Sequence, residues 1–259
     1  MPTRPILEIC VESAERAVAA ERGGADRIEL CTDLSSGGVT HHVDLMRATR
    51  DVVRIPIHAL IRPRAGNFVY SEAEFERIKH EICLAKELGM DGIVLGLLVN
   101  NGQIDQKRTS VLIQLAEPLP VTFHRAFDSC RDLAAALEAV IETGARRILT
   151  SGGKTSATAG LTCLAELVAA AGTCIVIMPG GGIRATNIER VLRSSGAHEV
   201  HSSLGAAGRT NQRARRASGK IGMTQTRNAA EFEASVRSLR NLIDANPVNC
   251  AIQTSNPIP

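Results

Sequence analysis

Short runs of apolar and β-branched residues alternate eight times along the chain with longer segments that have helix-like apolar spacing. The runs start about 21 to 35 residues apart, which is the length of one strand, one helix and two short loops. Strands that alternate with helices form a parallel sheet with crossover helices, so the pattern indicates the α/β class. The predicted strands are Ile6–Val11, Arg27–Cys31, Ile57–Arg62, Gly92–Leu98, Val121–Phe127, Arg147–Gly152, Cys174–Pro179 and Glu199–Ser203.

Two α/β architectures fit this alternation, an open doubly wound sheet and a closed barrel. A nucleotide-binding doubly wound sheet has a glycine-rich turn after its first strand, and here Val11-Glu12-Ser13 stands there instead. Eight units in about 205 residues match the size of a (β/α)8 TIM barrel. We therefore predict a single-domain barrel over residues 1–245, including a basic solvated or interface loop at 205–227, and a disordered tail at 246–259.

The composition argues against several classes of function. A net charge of +3, with no Trp, one Tyr and five Phe, offers little to nucleic acid. The longest apolar run, 92–99, is too short to span a membrane, and Glu8, Glu12 and Glu15 do not suit a secretory signal. Seven cysteines spread over a long chain favour reduced thiols over a disulfide framework. We expect a cytoplasmic protein with neither a nucleic-acid nor a membrane partner.

Polar residues recur on one face of several predicted strands. Alternate residues of a barrel strand point inward, and functional side chains lie at the carboxyl ends of the strands. Burying ionisable groups there costs free energy unless they pair with each other or meet a ligand. The pattern therefore predicts a site at the mouth of the barrel, built from Glu8, Cys10, Glu29, Cys31, His58, Arg62, His124 and His201.

Each of these residues has two interpretations. Cys10 and Cys31 are either packed core residues or, because they occupy matched places on adjacent strands, a thiolate pair suited to Cu(I). The histidines are either satisfied core residues or groups that bind metal and move protons. The acids Glu8, Glu29 and Glu199 either have a catalytic role or balance arginines in an ion-pair network, with Arg62, Arg64 and Arg125 as the expected partners.

Two glycine-rich turns follow late strands, and they suggest an anion site. Backbone N–H groups of such turns bind phosphate in many barrels, beside a helix N-terminus such as the one that the Thr186–Glu189 capping-box spacing predicts. The turns supply Ser151, Gly152, Gly153, Gly180, Gly181 and Gly182. This alternative is an enzyme acting on a small anionic or phosphorylated metabolite. Arg62 would stabilise negative charge, and Glu8, Glu29, His58 or His124 would act as acid or base.

Several segments together resemble a known family. Leu7–Ser13, Gly24–Cys31, Thr122–Asp128 and Ile148–Gly153, in this order, are similar to the corresponding segments of the CutC family of copper-homeostasis proteins. The resemblance extends from about Ile6 to Ser203. It implies a cytoplasmic barrel protein that forms a homodimer or higher homo-oligomer. It also implies Cu(I) binding through Cys10 and Cys31, and no firmly assigned reaction. We predict no organic cofactor.

Overall fold

Eight parallel strands form a nearly closed barrel in the computed structural model, which describes residues 4–204 and 229–246. The hydrogen-bonded order is β7-β6-β5-β4-β3-β2-β1-β8, and no ladder joins the described residues of β7 to β8. The predicted basic loop and, apart from Asn246, the predicted tail lie outside the described residues. The strands are β1 Ile6–Val11, β2 Arg27–Leu30, β3 Ile57–Leu60, β4 Gly92–Leu95, β5 Val121–Phe123, β6 Arg147–Thr150, β7 Val176–Pro179 and β8 Glu199–Ser202.

The described residues also form α-helices that alternate with the strands, which confirms the predicted (β/α)8 barrel. The final helix packs against the first, where Phe232 and Val236 are buried. The helices are α1 Ala14–Arg22, α2 Val43–Val52, α3 Glu72–Glu87, α4 Gln106–Ala116, α5 Leu133–Glu142, α6 Leu161–Ala171, α7 Ile188–Ser195 and α8 Ala229–Ala245.

Ser71–Glu74 and Thr186–Glu189 both have capping-box spacing in the sequence, but only the first pair forms the box. Ser71 and Glu74 form the reciprocal capping box that starts α3. The box expected at Thr186 and Glu189 is wrong, because α7 begins after Asn187 as its N-cap residue. The Asn187 side chain instead accepts the amide of Arg184 at 2.9 Å, which stabilises a turn in front of the helix.

Most predicted strands were too long at their carboxyl ends. Cys31, Arg62 and His124 each lie one or two residues beyond the last strand residue, where the chain turns into a loop. Their buried side chains continue the inward pattern of the strand, so the sequence alone did not show where the ladder ends. One strand start was also wrong, since the exposed Cys174 precedes β7. Cys31, Arg62 and His124 are consequently at the mouth of the barrel rather than within the sheet.

The apolar core lies mainly between the strands and the helices, with Ile9, Ile28 and Phe123 fully buried in it. A separate small cluster lies inside the barrel and consists of Cys10, Cys31, Leu60 and Val94, with Leu34 packed against it. The rest of the interior is largely polar, which fixes the position of the candidate site.

Candidate functional site

Cys10 and Cys31 form a close pair inside the barrel mouth. Cys10 is the fifth residue of β1, and Cys31 directly follows β2, the neighbouring strand. Their Sγ atoms are 3.2 Å apart, and both are free thiols that are 1% and 0% exposed. The hydrogen bond to Cys31, together with burial, raises the pKa of the Cys10 thiol well above its ordinary value. The hydrogen bond favours the thiolate of Cys31, but burial and Glu29 outweigh it, so the pKa of Cys31 is raised too.

Glu29 is the third member of this cluster because the strand register places it beside Cys10. The Cys10 thiol donates to Glu29 Oε1 at 3.3 Å. The other carboxylate oxygen, Oε2, is buried and has no hydrogen-bond partner among the described residues. Burial raises the pKa of Glu29. Cys10, Glu29 and Cys31 offer three ligand atoms that lie within 4.8 Å of one another, an arrangement that can hold a metal ion.

A short segment, Leu34–Gly38, covers the thiol pair, and we call it the cover segment. Leu34 packs against the buried cluster that contains the two cysteines, and its amide donates to Glu12 at 2.9 Å. Gly38 has a φ of +84°, and a Cβ atom there would lie 2.8 Å from Leu60 and 3.7 Å from Cys31 Sγ. Only a glycine therefore brings the backbone this close to the pair without strain.

Arg62 holds the cover segment in place. Its guanidinium donates to the carbonyl of Gly38 at 2.8 Å and to that of Ser36 at 3.3 Å. It also donates to the carbonyl of Gly66 at 3.0 Å, and it lies over the ring of Phe68. The predicted role of Arg62 in stabilising negative charge stays a prediction, since these contacts are with backbone carbonyls.

An ion-pair network fills the interior below the thiols, near the amino ends of the strands. Arg27 donates to Glu8 at 2.5 Å and to Glu199 at 2.6 Å, and Arg147 donates to Glu199 at 3.0 Å. The register explains the first contact, since Glu8 is opposite Arg27. Although burial opposes ionisation, Arg27 and His201 together hold the pKa of Glu8 well below its usual range.

The network was expected, but the expected arginines were wrong. Arg62 binds carbonyls, Arg64 pairs with Glu74 at 2.5 Å, and Arg125 pairs with Asp128 at 2.8 Å. These three come late in their strands or after them, whereas the acids need partners deeper in the barrel. Sequence reasoning missed Arg27 and Arg147, although Arg27 stands two residues before Glu29 and thus has the same inward parity.

His201 and His58 both approach Glu8. His201 Nδ1 lies 2.7 Å from Glu8 Oε1, and His58 Nδ1 lies 3.8 Å from Glu8 Oε2. Burial lowers the pKa of His201, but Glu29 and Glu8 outweigh it and raise the pKa. Burial lowers the pKa of His58 to about 3, so this ring is neutral. Glu8, Glu29 and His201 form a second group of three ligand atoms within 4.8 Å of one another.

His124 belongs to neither ligand group among the described residues. Its Nδ1 accepts the amide of Ala126 at 3.1 Å, which leaves the proton of the neutral ring on Nε2. Nε2 is buried and has no partner within the described chain, and the ring contacts Phe68 with centroids 5.0 Å apart. Burial lowers the pKa of His124 to about 3. The catalytic role predicted for His124 stays a prediction, and it would rest on a neutral imidazole outside both ligand groups.

The two glycine turns differ in how their amides are used. The carboxylate of Asp128 accepts the amides of Ser151 and Gly153 at 3.0 Å, and Gly152 donates to Thr150 Oγ1. An anion there would have to displace Asp128. In the second turn, Gly180 donates to the carbonyl of Thr150, while Gly181 and Gly182 donate to no other described residue. Anion binding stays a prediction at both turns.

Comparison with known proteins identifies the family. The CutC family profile matches residues 5–206, the span that contains the whole barrel sheet and the thiol pair. The chain belongs to the CutC family. The resemblance predicted from the sequence is thus confirmed, and with it membership of a copper-homeostasis family.

Relatives extend the match over nearly the whole chain. A human copper homeostasis protein cutC homolog is 42% identical over 243 residues, which is 94% of this chain and 88% of the human protein. A CutC family protein from Chromobacterium violaceum is 42% identical over 242 residues, covering 92% and 98% of the two chains. The crystal structure of a CutC protein from Streptococcus agalactiae superposes with a TM-score of 0.74 at 29% identity, over 78% of this chain and all of that one. Among the helices that the structure describes, none is long and apolar enough to cross a membrane.

Proposed function

We propose that this CutC protein binds one Cu(I) ion through the thiolates of Cys10 and Cys31. The observation that carries the proposal is the 3.2 Å separation of two buried, unbridged sulfur atoms in a barrel interior. Soft thiolates favour Cu(I) over hard ions, and a buried pair suits an ion that needs few ligands. Glu29, 3.3 Å from Cys10, is the polar group next to the pair.

Binding requires the pair to open slightly. Two metal–thiolate bonds of roughly 2.3 Å that spanned 3.2 Å would meet at about a right angle. A wider angle at the ion moves the sulfurs apart, within a cluster against which Leu34 is packed. We infer that the cover segment shifts when the ion enters, because Leu34 and Gly38 close the direct route to the thiols.

The proposal also includes a cytoplasmic location and a homo-oligomer. All cysteines within the described residues are free thiols, as expected in a reducing compartment. The oligomer rests on the family resemblance alone, and light scattering of the purified full chain tests it. The proposed ligand is the copper ion.

The enzyme alternative has less support. Asp128 occupies two of the amides that were expected to bind a substrate anion, and Arg62 is engaged with carbonyls. Gly181 and Gly182 are what remains of the predicted anion site, since their amides donate to no other described residue. A titration of the full-length protein with inorganic phosphate tests anion binding there, and the absence of saturable binding would count against it.

A Cys10→Ser/Cys31→Ser double variant tests the copper proposal directly. The protein is loaded anaerobically, and its Cu(I) is competed with a chromophoric chelator. The parent should hold one equivalent, and the double variant should lose more than the roughly 10–100-fold in affinity that removal of an outer-shell group costs. A Cys83→Ser/Cys174→Ser variant, which removes two thiols outside the barrel mouth, is the matched control and should bind like the parent. Equal Cu(I) affinity in both double variants would refute the proposal.

A further inference from the structure

We propose that Glu8, Glu29 and His201 form a second cation site, for a divalent transition ion such as Mn²⁺ or Zn²⁺. The site lies below the thiol pair and shares only Glu29 with it. It goes beyond Cu(I) binding, because its donors are two carboxylates and an imidazole rather than thiolates. These harder donors suit divalent ions.

The positions of the donor atoms carry the first step. His201 Nδ1 and Glu8 Oε1 are 2.7 Å apart, and a Glu29 oxygen completes a set within 4.8 Å. Two ligands that each lie roughly 2.0–2.2 Å from one ion are roughly 2.8–3.1 Å apart when they meet at a right angle, so His201 and Glu8 need to separate only slightly. The ion takes the place of the proton between His201 Nδ1 and Glu8 Oε1. The displaced proton leaves to solvent, and the ring keeps a proton on Nε2, so Nδ1 binds the ion as a neutral imidazole.

The charge balance of the interior favours a cation there. The described network contains three carboxylates, Glu8, Glu29 and Glu199, but two guanidiniums, those of Arg27 and Arg147. The guanidiniums contact Glu8 and Glu199, and neither of them hydrogen-bonds to Glu29. Three carboxylates and two guanidiniums leave one negative charge at the Glu29 end to be balanced, by a proton held among Glu8, Glu29 and His201 in the free protein and by the cation when it binds.

Two unpartnered atoms point to the same place. Glu29 Oε2 and His58 Nδ1 are buried and have no hydrogen-bond partner among the residues described. A buried polar atom without a partner is unfavourable, because it has given up its hydrogen bonds to water and gained none in the protein. His58 Nδ1 lies 3.8 Å from Glu8 Oε2 and faces the cluster. A bound ion would coordinate Glu29, and a water ligand of that ion would supply the partner for His58.

Mn²⁺ is the best probe because it favours oxygen and nitrogen ligands over thiolates and therefore avoids the thiol pair. The electron paramagnetic resonance signal of the free hydrated ion measures how much Mn²⁺ the full-length protein removes from solution. We expect one equivalent bound by the parent and by Cys10→Ser/Cys31→Ser. In His201→Gln and in Glu29→Gln, the affinity should fall roughly tenfold or more. His42→Gln is the matched control, since the His42 side chain is 77% exposed and lies 3.0 Å from Asp44, so it too is a histidine–carboxylate pair.

Circular dichroism melting establishes that each variant is folded, and the Glu29→Gln variant, nearly isosteric, provides the test if His201→Gln does not fold. A parallel Zn²⁺ titration uses Cys10→Ser/Cys31→Ser, in which the thiols cannot compete. The proposal is overturned if neither ion binds saturably, or if His201→Gln binds Mn²⁺ as tightly as His42→Gln. The two sites fail separately. A parent that binds Mn²⁺ but not Cu(I) would overturn the copper proposal alone, and a parent that binds Cu(I) but not Mn²⁺ or Zn²⁺ at this site would overturn the second site alone.

Discussion

The Cu(I) affinity should depend steeply on pH because both thiols must lose a proton to bind the ion. The pKa of Cys10 and the pKa of Cys31 both lie above the ordinary thiol value, so both residues are protonated between about pH 6 and 8. Each proton released contributes about a tenfold gain in affinity per pH unit. Two protons give about 100-fold, or ~2.7 kcal/mol, per pH unit.

The assay is a competition titration at several pH values between about 6 and 8, with a chelator whose own protonation is known. A plot of log affinity against pH should have a slope of two, with affinity rising as pH rises. A slope of one or less would show that one thiol is already ionised or does not bind the metal, and would refute the reasoning. A Cys10→Ser variant should reduce the slope to one, since one thiol proton remains to be released.

Three further predictions concern the surroundings of the thiols. Arg27→Met leaves Glu8 buried without its guanidinium partner and should cost about 3–5 kcal/mol in urea unfolding, whereas Arg64→Met at a partly exposed pair should cost under about 1; equal costs would contradict the network. Because the pKa of Glu8 is lowered, its contribution to stability is present above the ordinary carboxyl pKa and is lost as pH falls through the folded value. The parent should therefore lose more stability than Glu8→Gln in acid unfolding, and parallel curves would count against this. Arg62→Gln removes the hydrogen bonds that hold the cover segment and should speed the reaction of Cys31 with a thiol reagent in stopped flow, while Arg64→Gln should not. An unchanged rate in Arg62→Gln would mean that Arg62 does not hold the cover segment closed.

The sequence was sufficient for the architecture because the alternation of strands and helices repeats eight times. It was also sufficient for the thiol pair, since Cys10 and Cys31 share a parity on adjacent strands. The alternation of residues along a strand predicts which face of the sheet a side chain is on. It does not predict how far along the barrel axis that side chain lies. For this reason the sequence pattern wrongly predicts that Arg62, which lies near the mouth, pairs with the buried acids. Arg27 neutralises Glu8 near the amino ends of the strands instead.

Contacts between segments that are far apart along the chain could not be predicted from the sequence. Nothing in the glycine turn at Ser151 shows that its amides bind the carboxylate of Asp128, 23 residues earlier. Likewise, the packing of Gly38 over Cys31 depends on how a loop folds back across the barrel. Such loops lack the periodicity that identifies strands and helices, so the sequence does not predict where they lie in the fold.

X-ray absorption at the copper edge tests the central claim most directly. With one equivalent of Cu(I) bound to the full-length protein, the account predicts a reduced ion whose first shell contains two sulfur atoms, the Sγ atoms of Cys10 and Cys31. Spectra of the parent with only nitrogen and oxygen neighbours, or with the same sulfur shell in Cys10→Ser/Cys31→Ser, would contradict it.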